Sequence, residues 1–288
     1  MRRWLIASCA AALLGAAGDT DVVPESPSAR EIVERAHENW TRYDTSATIR
    51  IAVVSRSGRR MERKLEAFRI RVDDQPRTLI RMTYPPDLRG TTLLVLENGR
   101  RDDDRFLYLP VSRRVRRIAA GQRGDRVLGT DFSYEDLGAG DLDDYRHERL
   151  PNAPVDGIDC FVIRAEEWNP GPGSFRRTSW ISRGEFVPLR VEYERHGRLS
   201  RRLEADPASL AELGPGAWLP RRIVMRDLIR GTRTELEVQT LDTEPSLDPG
   251  HLSLAHLQSL SRRLDLTGHG PEPDEPTSPK GSDSSLSP

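Results

Sequence analysis

The foldable part of the chain begins with a helical pattern. From Ser28 to Tyr43, Ile32, Ala36 and Trp40 recur at i, i+4 spacing, Val33 and Tyr43 widen the apolar stripe, and Arg30, Glu34, Glu38 and Arg42 fall on other faces. This predicts an amphipathic helix of about four turns. Ser28 is placed to cap it, and Glu31 completes a capping-box pattern.

Beyond the helix the period changes to two. Ile49, Ile51 and Val53 alternate with Arg50 and Ala52, and Phe68, Ile70 and Val72 with Arg69 and Arg71. The same rhythm returns in Leu189, Val191 and Tyr193 and in Leu236 and Val238. Shorter strand candidates are Thr78 to Tyr84, Thr91 to Glu97, Arg105 to Leu109, Cys160 to Ala165, Thr178 to Ser182, Leu199 to Ala205 and Arg221 to Leu228. Template matching gives roughly eleven strands, separated by turn signals such as Glu97-Asn98-Gly99 and Asn169-Pro170-Gly171-Pro172-Gly173. Strands without intervening helices predict a mainly β fold built on an antiparallel sheet, and so long a twisted sheet curls toward a barrel. Such a sheet either fills its interior with side chains or encloses an apolar cavity.

The two ends depart from this pattern. Met1-Arg2-Arg3 precedes an apolar run from Trp4 to Gly18 that closes on Ala16-Ala17-Gly18, which reads as a cleaved secretory signal peptide over residues 1–18. Ile6-Ala7-Ser8-Cys9 resembles a lipoprotein-processing box but leaves only a stub of hydrophobic region before the cysteine, so cleavage near Gly18 is preferred over lipid anchoring at Cys9. Gly268 to Pro288 is rich in Pro, Ser and acidic residues and cannot bury enough surface to offset its ordering entropy. The expected layout is a signal peptide (1–18), a linker (19–27), one β domain (28–267) and a disordered tail (268–288).

Composition narrows the chemistry. The chain of 288 residues carries 44 Lys plus Arg against 45 Asp plus Glu, a net charge of -1, so it lacks the positive field that offsets phosphate charge and no nucleic acid partner is expected. There is no phosphate loop, no Gly-x-Ser-x-Gly elbow and no His-Glu-x-x-His helix. The six histidines are dispersed, and no Cys or His cluster has metal-ligand spacing, so neither a metal nor a cofactor is expected. Removal of Cys9 would leave Cys160 alone in an apolar strand, read as a buried structural residue. The most conspicuous basic group is Arg113-Arg114-Val115-Arg116-Arg117: either a solvated edge that discourages aggregation, or a docking surface for an acidic protein or lipid headgroups made of Arg113, Arg114, Arg116 and Arg117.

Four ordered blocks carry a family resemblance. They are Tyr84-Pro85-Pro86-Asp87-Leu88-Arg89-Gly90-Thr91-Thr92-Leu93-Leu94, Phe106-Leu107-Tyr108-Leu109-Pro110, Arg113-Arg114-Val115-Arg116-Arg117-Ile118, and Gly129-Thr130-Asp131-Phe132-Ser133-Tyr134-Glu135-Asp136-Leu137. Pro188 to Tyr193, Trp218 to Ile223 and Met225 to Leu228 continue the match. In order and spacing the chain resembles the outer-membrane lipoprotein-sorting family related to LolA. The resemblance implies a periplasmic protein of a two-membrane bacterium with an unclosed antiparallel β-barrel, helices covering its mouth, an apolar cavity for acyl chains and no enzyme activity. Asp131, Tyr134, Glu135 and Asp136 then form either a partner-contact loop or a short helix, capped by Asp131 or Ser133, that plugs one end of the sheet.

On this basis the cavity candidates are the apolar members of the alternating strands, Phe68, Ile70, Ile80, Met82, Leu189, Val191, Tyr193, Ile223 and Met225, with Trp40 at the mouth. Periodicity identifies a dry face but does not distinguish a ligand wall from a packed core. Three functions follow: a monomeric carrier of lipid or lipoprotein acyl chains, an accessory subunit that docks an inner-membrane transporter through the arginine-rich surface, and an enzyme with a polar cavity. The third requires a carboxylate of perturbed pKa, and no suitable pair of groups is visible in the sequence.

Overall fold

The computed structural model describes residues 26–98, 103–137, 142–169 and 175–267, with side chains described as far as residue 260. The signal peptide, Cys9, most of the linker, the tail and parts of the two loops quoted as turn signals lie outside the described residues. Helix α1 (Ala29–Thr41) starts as expected: the Ser28 side chain accepts from the Glu31 N–H at 3.2 Å and the Glu31 carboxylate accepts from the Ser28 N–H at 2.7 Å.

The first six strands are β1 (Thr45–Val54), β2 (Arg60–Val72), β3 (Gln75–Tyr84), β4 (Thr92–Leu96), β5 (Asp104–Leu109) and β6 (Arg114–Arg117). They are followed by β7 (Tyr145–Leu150), β8 (Cys160–Glu167), β9 (Arg176–Ser182), β10 (Pro188–Arg195) and β11 (Arg198–Ala205). Last come β12 (Leu210–Gly214), β13 (Ala217–Pro220), β14 (Arg222–Asp227), β15 (Thr232–Asp242) and a second helix, α2 (Leu254–Thr267). Each of the eleven expected strands is present. The four that the alternation missed are short or charged: β6, β7, β12 and β13.

Thirteen strands form one antiparallel sheet in the order β6-β5-β4-β3-β2-β1-β15-β14-β11-β10-β9-β8-β7, while β12 and β13 pair separately. The chain builds outward from β1 to β6, crosses to the opposite edge at β7, and works back until β15 pairs with β1, Ile51 opposite Leu236. The edges β6 and β7 do not pair with each other, so the sheet is open. Both edges are charged, Arg-Val-Arg-Arg and Tyr-Arg-His-Glu-Arg-Leu, which disfavours edge-to-edge addition of another strand.

The concave face carries apolar rows that run across the strands. Leu107 faces Leu93, Leu93 faces Ile80, and Ile80 faces Ala67. On the far side Leu236 faces Ile223 and Met225 faces Leu203, which in turn faces Val191. Helix α1 lies over this face: Ile32 and Ala36 pack with Phe161, Ile163 and Ile181. Asn39, buried, ties the helix down by donating to the Glu185 and Phe186 carbonyls at 2.6 and 3.0 Å and accepting from the Trp218 N–H at 3.0 Å. The turn between β12 and β13 needs Gly214, because a Cβ there would stand 2.6 Å from the Tyr43 ring.

Helix α2 produces the main departure from the expected pattern. Leu257 and Leu260 of the helix, with Leu252 just before it, cover the other face of the sheet, against Ile70, Leu79, Leu94 and Tyr108, with Phe68, Val72 and Val115 around them. Strand β4, and the parts of β2, β3 and β5 beside it under the helix, are therefore covered on both faces. In β2 the residues directed at the interior are Leu65, Ala67 and Arg69, whereas the conspicuous series Phe68, Ile70 and Val72 lies under α2.

Candidate functional site

Between α1, the central strands and the crossing segment lies an apolar cavity of about 320 Å³. Its wall is supplied by Ala47, Ile49 and Ile51 of β1, Leu65 and Ala67 of β2, Ile80 of β3, Ile223 of β14, and Leu236 and Val238 of β15. Leu213 and Leu219 of the small hairpin complete one side, and His37, Trp40 and Thr41 of α1 form the roof. Several of these side chains are only half-buried although they point inward, because they face empty space instead of a packed neighbour.

The floor is made by residues 118–137, which connect the two edges of the sheet through its interior. Val127, Phe132 and Leu137 face the cavity, while Ile118, Phe132 and Tyr134 pack with Leu93, Phe175, Tyr193 and Met225. Asp131, buried, pins this plug to the sheet. Its carboxylate accepts from the Thr232 and Thr234 hydroxyls at 2.6 and 2.8 Å and pairs with Arg126, and its N–H donates to Thr234 Oγ1 at 2.8 Å. Asp136 accepts from the Ser133 N–H and from Arg201 Nη1 at 2.7 and 2.6 Å, Arg105 donates to the Tyr134 carbonyl at 3.1 Å, and the Tyr145 hydroxyl donates to Glu135 at 2.8 Å. The short turn Glu135–Leu137 is part of the plug, and Asp131 fastens the plug to β15 instead of capping that turn.

One end of the cavity is polar. The Arg69 guanidinium donates to the Trp40 carbonyl and, through Nε, to Thr78 Oγ1 at 3.0 Å, and Arg71 Nη1 donates to the Thr41 carbonyl at 3.1 Å. The buried Glu97 carboxylate stands 3.7 Å from Arg69 Nη2 and 4.0 Å from His37 Nε2. Burial pushes the Glu97 carboxyl up to about 6 despite the Arg69 charge. Burial and the Arg69 charge together push His37 down to about 4, so at neutral pH it is uncharged.

The structure distributes the sequence candidates unevenly. Trp40, Ile80 and Ile223 line the cavity. Phe68 borders it, but its side chain shares the face of Leu79 and stacks under the Arg81 guanidinium at 5.9 Å, on the α2 side. Ile70 belongs to the α2 cluster. Met82 is packed with Ile51, Val53 and Leu65; Val191, Tyr193 and Met225 are packed against the plug; Leu189 sits with Cys160, Val187 and Trp180. These six do not reach the cavity. Cys160 is fully buried, and burial raises its thiol pKa. Arg114, Arg116 and Arg117 form the exposed edge strand β6, with Arg113 in the turn before it at φ 51°, all on the rim and away from the cavity. Arg117 pairs with Asp104. Sequence reasoning missed most of the wall: Ile49, Ile51, Leu236 and Val238 stood out as dry-face residues but were not taken as cavity lining, Leu65, Leu213, Leu219 and the plug residues were not considered for it, and His37, Ala67, Arg69 and Glu97 are polar or small positions with no apolar signal.

Among the described residues no group of His, Cys, Asp or Glu is placed to hold a metal ion, and no helix is long and apolar enough to cross a membrane. The open antiparallel sheet, mainly β and not closed, is a fold shared with solved structures. The chain belongs to the family described as "-like: Uncharacterized protein", which matches residues 74–259. Among solved structures, a domain named for outer membrane lipoprotein sorting, from Vibrio parahaemolyticus, is 25% identical with a TM-score of 0.72, covering 80% of this chain and 100% of that one. A DUF1329 family protein from Desulfovibrio piger (23% identity, TM-score 0.72, 80% and 98% covered) and a LolA superfamily protein from Nitrosomonas europaea (18%, 0.62, 80% and 100%) share the fold. No curated protein matches the chain.

Proposed function

We propose that the protein is a non-enzymatic periplasmic carrier that takes acyl chains of a lipid or lipoprotein into its cavity and transfers them between components of a bacterial envelope. The observation that carries this reading is the apolar hollow itself, roofed by α1 and floored by a plug held by several buried hydrogen bonds. Its volume falls at the lower end of the range of small-molecule sites, and apart from its polar end its wall is hydrocarbon. Each methylene transferred there gains about 0.8 kcal/mol, so a chain of ordinary length binds without covalent chemistry. The name of the 25% identical Vibrio parahaemolyticus domain supports lipoprotein sorting as the setting. Signal-peptide cleavage and a monomeric state are part of the same proposal.

Native mass spectrometry of the mature chain purified from a periplasm, followed by organic extraction, tests it. A stoichiometric lipid or acylated peptide is the expected result; a bare chain that also refuses added lipids overturns it. A second reading, docking of a membrane transporter at the arginine-rich edge, draws on the exposure of Arg114 and Arg116 on the edge strand. Charge reversal at both positions would abolish such docking and leave lipid content unchanged.

A further inference from the structure

The apolar cavity opens into a polar one. His37, Thr41 and Glu97 line both it and a groove of about 520 Å³ that continues past Arg42, Arg71 and Gln75. Glu97 stands at the junction. Its side chain is only 7% exposed, and its Oε1 has no hydrogen-bond partner among the described residues. Arg69 Nη2, at 3.7 Å, is beyond hydrogen-bond reach, and Arg69 directs its Nη1 and Nε donors to the Trp40 carbonyl and Thr78.

A buried carboxylate oxygen without a donor is uncommon and destabilising, and a native protein that keeps one calls for an explanation. The raised Glu97 pKa shows that its ionised form is poorly served by the surroundings as they stand. The position of the orphaned oxygen, where hydrocarbon wall gives way to polar groove, supplies the explanation.

We propose that Glu97 Oε1 is the head-group contact of the cargo and accepts a hydrogen bond from a neutral donor, a hydroxyl or an amide N–H, just beyond the end of the acyl chain. The inference rests on the carrier reading above. The charges around the junction select the donor. Arg69, Arg71 and Arg105 act on Glu97 against Asp103, so an ammonium would enter against three guanidinium groups and an anionic head would meet two carboxylates. A neutral donor meets neither penalty. Two sources present that chemistry: the free hydroxyl of an acylglycerol, and the amide N–H at the acylated end of a lipopeptide.

Isothermal titration of the mature chain with three dodecanoyl probes separates them: monododecanoylglycerol, N-dodecanoylglycine methyl ester, and methyl dodecanoate, which has no donor. Hydrogen bonding to a buried charged group predicts donor-bearing probes binding tighter than the methyl ester on the order of tenfold. Glu97→Met should bring all probes to within about twofold of one another while still binding the methyl ester, and Glu97→Gln, which keeps an acceptor oxygen, should retain part of the preference. Should Glu97→Met fail to fold, the wild-type and Glu97→Gln preferences still decide. Preference for the glycerol probe alone supports the proposal with a lipid source, and for the amide probe alone with a lipopeptide source. Equal binding of all three by the wild type overturns the head-group assignment and leaves the carrier reading intact. Failure of all three to bind overturns the carrier reading itself.

Discussion

The two halves of the concave face carry the same alternation of inward apolar side chains and reach different ends. Under β10, β11 and β14, Val191, Tyr193, Ala205 and Met225 are buried against Phe132, Tyr134 and Phe175. Under β1 to β3 and β15, Ala47, Ile49, Ala67, Ile80 and Leu236 remain half-buried around the hollow. The strands do not make this difference. The plug does, by filling one half of the curve and stopping short of the other, with Asp131 fixing where it stops. A packed core and a binding cavity are thus two uses of one sheet, separated by what the crossing segment brings inside.

The largest expected effect comes from releasing that segment. Asp131→Ala leaves Arg126 and the buried Thr234 without their acceptor and should lower unfolding stability by about 3 to 5 kcal/mol in urea titration. A loss below about 1 kcal/mol would mean the plug is held by its apolar contacts alone.

The contrast between the halves can be measured directly by truncation. Met225→Ala, in the filled half, should cost about 2 to 5 kcal/mol because a closed cavity replaces packed atoms. Ile80→Ala, in the open half, should cost less than about 2 kcal/mol, since its side chain already borders empty space. Equal costs would erase the distinction.

Glu97 gives an effect of opposite sign. Its folded pKa of about 6 lies above its ordinary value of 4.5, so the fold holds a proton more tightly than the unfolded chain, and stability from this group is present below pH 4.5 and lost as pH rises through about 6. Glu97→Gln should therefore stabilise the protein by about 2 kcal/mol at pH 8 and give no gain at pH 4, read from thermal unfolding at the two pH values. His37 runs the other way: its folded pKa of about 4 is below the ordinary 6.5, so its contribution is present above pH 6.5 and lost as pH falls through about 4. The variant isolates the first slope from the second.

The smallest effect concerns the roof. Ser28→Ala removes one acceptor of the capping box and should cost about 1 kcal/mol, with the loss of helix confined to α1.

That cap was legible in the sequence because Ser28 and Glu31 act within one turn. The eleven strands found from the alternation were legible because each has at least one dry face. Strands β6 and β7 were hidden by their charge, which suits an edge and masks the period, β13 is only four residues long, and β12 lacks an apolar run. The cavity wall was only partly legible. Phe68, Ile70 and Val72 formed the clearest dry face of β2, and α2 turned out to cover it from outside. The inward face, Leu65, Ala67 and Arg69, looks mixed because part of it borders a hollow and its last member, Arg69, serves as a fastening to α1. Glu97 gave no signal beyond the end of a strand, since its significance lies in burial beside His37 and Arg69, which are distant in sequence.

The central claim, that the open half of the sheet is a binding site for hydrocarbon, is tested most directly by filling it. Ala67 faces Ile80 across the wall of the cavity, so Ala67→Phe places a ring in the hollow without entering the packed half. The decisive measurement is the affinity of a dodecanoyl probe for wild type and for this variant, with unfolding stability recorded on the same samples. The account predicts binding weakened by at least about tenfold with stability changed by less than about 1 kcal/mol. A folded Ala67→Phe variant that binds the probe as the wild type does would contradict it.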